Sequence, residues 1–242
     1  MKVHLIPALS DNYIFLIEMD SSYICVDPAV SKPVIDFCGN KPLSQILITH
    51  HHHDHIGGIQ ELKNKYNCEV YAPEYDKHRI ENVDHWVKDN DQVQINNLSF
   101  NVSYTPGHTL GHIVYYCPEM SSLFCGDTLF RLGCGRLFEG SYEQMYNSLE
   151  IIKELPKDTK IYCAHEYTET NLKFCHHHNL VSDALKNEEA NILNLRQNNQ
   201  PTVPTTLDIE LETSPFLNPQ KHYPDLSPEE GFKTIRELRN KW

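Results

Sequence analysis

The sequence predicts a mixed β/α domain over residues 1–165 and a small helical unit over residues 166–242. Three observations carry this. The first two-thirds of the chain consist of short β-branched or aromatic runs bounded by turn residues, with helical spacing between some of them. After about His165 such runs nearly vanish, and Asn, Gln, Glu and Leu dominate. Near the end, Ser227-Pro228-Glu229-Glu230 is a capping box with proline at the first helical position. With 242 residues, 40% hydrophobic and 22% charged, the chain can bury one substantial core and still build a small second unit, which excludes a mini-protein or a disordered tail.

In chain order, the expected strands are Val3–Leu5, Tyr13–Glu18, Tyr23–Val26, Gln45–Thr49, Glu69–Ala72, Phe100–Tyr104, Ile113–Cys117, Ser122–Cys125 and Lys160–Cys163. Between them Gly57-Gly58 opens a stretch with Ile59, Leu62 and Tyr66 at helical spacing. Tyr142–Leu155 places Met145, Leu149 and Ile152 on one face. Thr168–His178 and Ser182–Gln197 read as helices, Pro201–Pro204 breaks the pattern, and the last helix lines up Phe232, Ile235 and Leu238.

Lys and Arg total 21 against 33 Asp and Glu, a formal charge of −12, so a general attraction to nucleic acid or anionic lipid is not expected. The N-terminal apolar stretch is interrupted by His4, Pro7, Ser10, Asp11 and Asn12, so no signal peptide can be drawn, and no run has the roughly 18 apolar residues of a membrane span. The eight cysteines form no CxxC pair and sit mostly in apolar runs. Reduced, buried thiols in a cytoplasmic protein are the expectation.

Histidine is unevenly spread: five of the 15 fall between His50 and His55. The run Thr49-His50-His51-His52-His53-Asp54-His55-Ile56-Gly57-Gly58 leaves the end of an apolar strand. An extended backbone there would turn His50 and His52 to one side, with Asp54 and His55 close by. Three further strands end on the same residue types: Phe100–Tyr104 leads to His108, Ser122–Cys125 to Asp127, and Lys160–Cys163 to His165. Strand ends are the usual place for sites in layered α/β folds. His50, His52, Asp54, His55, His108, Asp127 and His165 exceed the three or so ligands of one catalytic zinc but suit two ions, one carboxylate being shared. Two such ions, roughly 3.5–4 Å apart, activate a bridging water near neutral pH and polarise a substrate oxygen.

The pattern His-x-His-x-Asp-His at His50–His55, with His108, Asp127 and His165, resembles the metallo-β-lactamase superfamily. Within it, the chain is similar over essentially its full length to the glyoxalase II, or hydroxyacylglutathione hydrolase, family. The segments carrying the likeness are Asp11-Asn12-Tyr13, the His50–Gly58 run, Thr105–His112, Cys125–Phe130, Gly133–Gly140, His165–Phe174, Gln200–Leu207 and Ser214–Leu217. The superfamily motif serves many activities; GCGRLFEG, HEYT and QPTVPTTL together are far more specific. The resemblance implies an α+β fold, an αββα sandwich followed by a C-terminal helical domain. It also implies hydrolysis of S-D-lactoylglutathione to D-lactate and glutathione, the second step of methylglyoxal detoxification. It assigns His50, His52 and His108 to a first metal, Asp54, His55 and His165 to a second, and Asp127 to both, which puts Asp54 and Asp127 at the catalytic centre. Zinc heads the candidate metals, with iron and manganese the other family choices. A monomer acting on a small-molecule glutathione thioester is expected, with neither nucleic acid nor membrane as partner.

The C-terminal stretch Phe232–Trp242 holds Lys233, Arg236, Arg239 and Lys241 against Glu237 alone. Two readings stand: cations complementing a helix dipole, or a site for the glutathione carboxylates. The resemblance favours the second and adds Arg136, Tyr167 and position 138 as substrate contacts. Phe138 stands where some relatives have tyrosine, so one hydroxyl contact is lost, and Asn218 stands where many have arginine. His112 reads as either a group orienting the His108 loop or a structural histidine, and His176-His177-His178 as a solvated helical face. A lactonase, β-lactamase or tRNA-processing nuclease would keep the metal ligands. A mononuclear iron dioxygenase acting on glutathione persulfide is a nearer rival from a different reaction class, which two metals per chain and no oxygen consumption would exclude; a histidine-rich metal buffer is the non-enzymatic alternative. A secreted lactamase wants a signal peptide and a nuclease a basic, aromatic-laced surface, neither of which is seen in the sequence.

Overall fold

The computed structural model describes residues 1–242 and divides into two compact units. The first comprises Met1–Tyr104, Gly111–Met120 and Phe124–Gly126; the second comprises Thr105–Leu110, Ser121–Leu123 and Asp127–Trp242.

In the first unit, β1 (Lys2–Ala8), β2 (Asn12–Glu18) and β3 (Tyr23–Val26) are antiparallel neighbours. β4 (Leu43–Leu47), β5 (Glu69–Pro73) and β6 (His85–Val87) continue the same sheet in parallel, in spatial order β1 to β6. Parallel neighbours need crossovers, and helices α1 (Ser31–Cys38) and α3 (Ile59–Tyr66) supply them. The four-residue α2 (His53–Ile56) precedes α3. Ile14, Leu16, Cys25, Ile46, Ile48, Leu62 and Val70 pack into one core on this sheet. β7 (Gln92–Ile95), β8 (Leu98–Tyr104) and β9 (Ile113–Cys117) form an antiparallel run. Leu98, Phe100 and Val102 alternate inward along β8, the period-two pattern of a strand with one buried face.

β10 (Ser122–Gly126) contributes residues to both units. The second unit carries the small hairpin β11 (Leu129–Phe130) and β12 (Gly133–Cys134), then α4 (Tyr142–Lys153). β13 (Lys160–Cys163) pairs antiparallel with β14 (Thr205–Thr206), and helices α5 (Thr168–His177), α6 (Asp183–Gln197), α7 (Leu207–Thr213) and α8 (Pro228–Lys241) complete the unit. The apolar faces of α5 and α8 meet around Phe216, whose ring lies 6.2 Å from both Phe174 and Phe232. Capping boxes start α4 at Ser141 and α8 at Ser227.

β4 ends two residues before the expected Thr49. The Thr49 amide leaves the ladder and donates to Asp27 Oδ1 at 2.8 Å, so a side chain, not a strand, satisfies it. α1, α7, β6, β7, β11, β12 and β14 were not foreseen. Pro33 obscures the first of these, and the strands are two to four residues long, too short for a periodicity to register. All eight cysteines are buried, unbridged thiols. No helix is long and apolar enough to cross a membrane.

Candidate metal centre

In the first unit the four expected donors of the histidine run come together, but not on an extended strand. His52 is the extended N-cap of α2, and the helical turn at His53 carries Asp54 and His55. The His50 ring centre lies 4.7 Å from that of His52 and 4.1 Å from that of His55, and His55 Nε2 is 3.8 Å from Asp54 Oδ2. His50 and His55 are fully buried. Gly58 permits the approach: a Cβ there would stand 2.8 Å from the Pro28 carbonyl oxygen.

Asp27 orients these rings. It is a buried residue in the left-handed region (φ 49°) just after β3. It accepts from the Thr49 hydroxyl at 2.7 Å and pairs with His55 Nδ1 at 3.0 Å. Thr49 spends its single hydroxyl proton on Asp27, so towards His50 Nδ1, 3.1 Å away, its oxygen can only accept. Both rings therefore carry their proton on Nδ1 and keep the lone pair on the buried Nε2. Asn12 donates to Asp54 Oδ2 at 3.1 Å, and the buried His112 ring stacks on His50 at 4.7 Å. His112 thus packs against a candidate ligand. Asp27 and Thr49 escaped the sequence reading, although Asp27 also closes a buried strand with an acidic residue, the signal that found Asp127.

In the second unit Asp127 stands between two imidazoles. Its Oδ2 lies 3.3 Å from His108 Nε2 and its Oδ1 lies 3.4 Å from His165 Nε2. All three side chains are buried. His108 Nδ1 donates to the Arg136 carbonyl at 2.7 Å, because a carbonyl can only accept. A neutral His108 therefore points a lone pair at a carboxylate oxygen, an arrangement that a cation relieves. Imidazole nitrogen and carboxylate oxygen together suit a divalent transition metal. Gly135 is required beside them, since a Cβ would fall 2.0 Å from the Asp127 carbonyl oxygen.

The expected substrate contacts divide. Backbone bonds from Phe138 N to His108 O and from Gly140 N to Gly107 O, both 3.1 Å, fix the Arg136–Gly140 stretch beside the His108 loop. Phe138 is 61% exposed, edge-on to His108 and under the Arg136 guanidinium. Tyr167 stacks flat on His165 at 4.8 Å. Arg236 is buried mid-helix, donating to the Cys134 carbonyl at 2.9 Å, so it does not serve the helix terminus. Arg239 lies over the Phe174 and Trp242 rings, and burial, reinforced by nearby Arg236, pulls its pKa down. Asn218 donates to the Leu211 carbonyl, which gives that position a packing role. In the His176–His178 triplet, His176 pairs with Glu189, while His178 packs on Phe174 and meets the His177 ring edge-on at 4.7 Å.

Residues 11–165 match the family described as the metallo-beta-lactamase superfamily, and residues 166–242 match the hydroxyacylglutathione hydrolase C-terminus. The chain is 45% identical to the hydroxyacylglutathione hydrolase of Bdellovibrio bacteriovorus, covering 99% of this chain and 97% of that one. It is likewise 45% identical to the hydroxyacylglutathione hydrolase of Pelagibacter ubique, over 99% of each. Among solved structures, ETHE1 from Myxococcus xanthus superposes with a TM-score of 0.72 at 24% identity, covering 98% of this chain and 90% of that one, a likeness of fold. The fold is thus the α+β metallo-β-lactamase sandwich with a helical C-terminal region, and the chain belongs to the hydroxyacylglutathione hydrolases of that superfamily.

Proposed function

We propose that the chain is a binuclear metal-dependent thioesterase that hydrolyses S-D-lactoylglutathione to D-lactate and glutathione. The observation that carries this reading is Asp127, whose two carboxylate oxygens each face the Nε2 of a different buried histidine. In the reading, His50, His52 and His108 hold one ion, Asp54, His55 and His165 hold the other, and Asp127 serves both. When bound, the ions supply an activated water at neutral pH and a Lewis acid for the thioester oxygen. Zinc is the first candidate, with iron and manganese distinguished from it by elemental analysis.

The chain's own residues do the rest. Asp27 and Thr49 hold His55 and His50 in one tautomer, and the Arg136 carbonyl does the same for His108. Asp54 is steadied by Asn12. Arg136, Phe138, Tyr167 and Arg239 are the proposed substrate contacts; Arg236, expected among them, is given a supporting role. Arg239 meets a glutathione carboxylate, while Arg236, committed to Cys134, steadies the segment that carries Arg136. The departing thiolate, with a pKa of about 8.5, needs no general acid. Residues 1–165 then form the catalytic domain and 166–242 the substrate-binding domain. The unbridged thiols suit the reducing cytoplasm.

The test joins elemental analysis to a thioester assay. The purified protein should hold about two transition-metal ions per chain and hydrolyse S-D-lactoylglutathione. Asp127→Ala should lose both. Turnover retained in that variant would sink the binuclear reading.

A further inference from the structure

The β11–β12 hairpin has two residues in each strand, too few to hold a conformation unaided. Asp127 and Arg136 flank it in sequence. Phe130 from it packs edge-on against His165 and Tyr167, and the Cys134 carbonyl receives Arg236. Its turn, Arg131-Leu132, is gripped from several helices. Glu210 on α7, fully buried, accepts the Leu132 amide at 2.9 Å with Oε2 and places Oε1 3.8 Å from Arg131 Nε. The buried Arg131 guanidinium also binds Glu188 on α6 and donates to the Thr202 carbonyl at 3.0 Å. Leu132 sits at φ 60°, a strained backbone for a branched side chain that needs such external support.

We propose that Glu210 and Arg131 are a buried positioning pair that fixes this hairpin, and through it the placement of Asp127 and Arg136. The role deepens the thioesterase reading and rests on it. A plain structural brace would work equally at every pH; this pair does not. Glu210 faces Arg131 from the hairpin, Glu188 from α6, the Thr205 hydroxyl from β14, and the thiols of Cys163 and Cys175 from β13 and α5. Burial pushes both thiols up to about 12, so they stay neutral. One guanidinium thus serves two carboxylates in a dry setting, and burial raises Glu210 to about 7 against the pull of Arg131. Above that pH the carboxylate makes a charge-assisted bond to the Leu132 amide and an ion pair with Arg131 across 3.8 Å; below it the amide bond is the weaker neutral kind and the ion pair is gone.

Glu210→Gln keeps the shape and removes the titration. The ratio of its kcat/KM to that of the unsubstituted protein should stay within about twofold of one near pH 5.5 and fall to roughly a tenth near pH 8.5, the change residing in KM. Arg131→Met should behave like Glu210→Gln at alkaline pH, because Glu210 without its cation keeps its proton. A ratio that does not vary with pH overturns the proposal. The second readout needs neither variant nor substrate: in the unsubstituted protein, hydrogen-exchange protection of the Leu132 amide should rise about tenfold, relative to other hairpin amides, as pH crosses 7. Constant protection also overturns it. If the unsubstituted protein fails to hydrolyse the thioester, the proposed activity falls, while the Leu132 amide still decides whether the pair grips the hairpin.

Discussion

Asp27 is neither a proposed metal ligand nor a proposed substrate contact, yet the orientation of two histidines depends on it. Its carboxylate takes the Thr49 amide and hydroxyl and faces His55 Nδ1, and Thr49 in turn sets the tautomer of His50. Asp27→Ala should therefore weaken metal retention by about 10- to 100-fold, read by competition with a calibrated chelator. An affinity equal to that of the parent would place the orienting role elsewhere. The types of donor were legible from the sequence because ligand residues recur where strands stop. Their tautomers were not, because Asp27 lies 28 residues before His55 and the acceptor for His108 is a backbone carbonyl 28 residues after it. Arg236 shows the same boundary. Its charge and helical face could be read from spacing, but its commitment to the Cys134 carbonyl, 102 residues away, belongs to tertiary structure.

Elements with a local signal were the ones the sequence announced. α8 begins where Ser227 and Glu230 exchange hydrogen bonds, and Ser227→Ala should cost about 1 kcal/mol, seen as a lower denaturant midpoint with an unchanged slope. No shift would mean that packing of Phe232 and Ile235 alone starts the helix. α2 was misread as extended because four consecutive histidines carry no helical period, and its start is set by the extended backbone of His52. The β11–β12 hairpin was invisible for a related reason: its four strand residues depend for their conformation on side chains from α5, α6 and α7. Short elements that borrow their stability leave no pattern of their own.

At the scale of the whole molecule, a mixed β/α region followed by a helical one was legible because composition changes sharply near His165, whereas the sandwich itself was legible only through the motif resemblance. The dependence of stability on pH was not, since it follows from burial. A free glutamate titrates at 4.5, whereas Glu210 in the fold keeps its proton up to about 7. Between those values the folded chain binds the extra proton, so this contribution to stability is complete below 4.5 and is lost as pH rises through about 7. Glu210→Gln should remove that loss, so its unfolding midpoint relative to the parent should rise between about pH 5 and about pH 8. Equal pH dependence in the two proteins would show that Glu210 does not titrate there. The eight buried thiols offer a different use of the same interior. Cys25, Cys38, Cys68, Cys117 and Cys125 lie in the first compact unit and Cys134, Cys163 and Cys175 in the second. An alkylating reagent can reach none of them until the chain opens. Timed alkylation followed by peptide mass mapping would therefore report which unit opens first, with no label engineered into the protein.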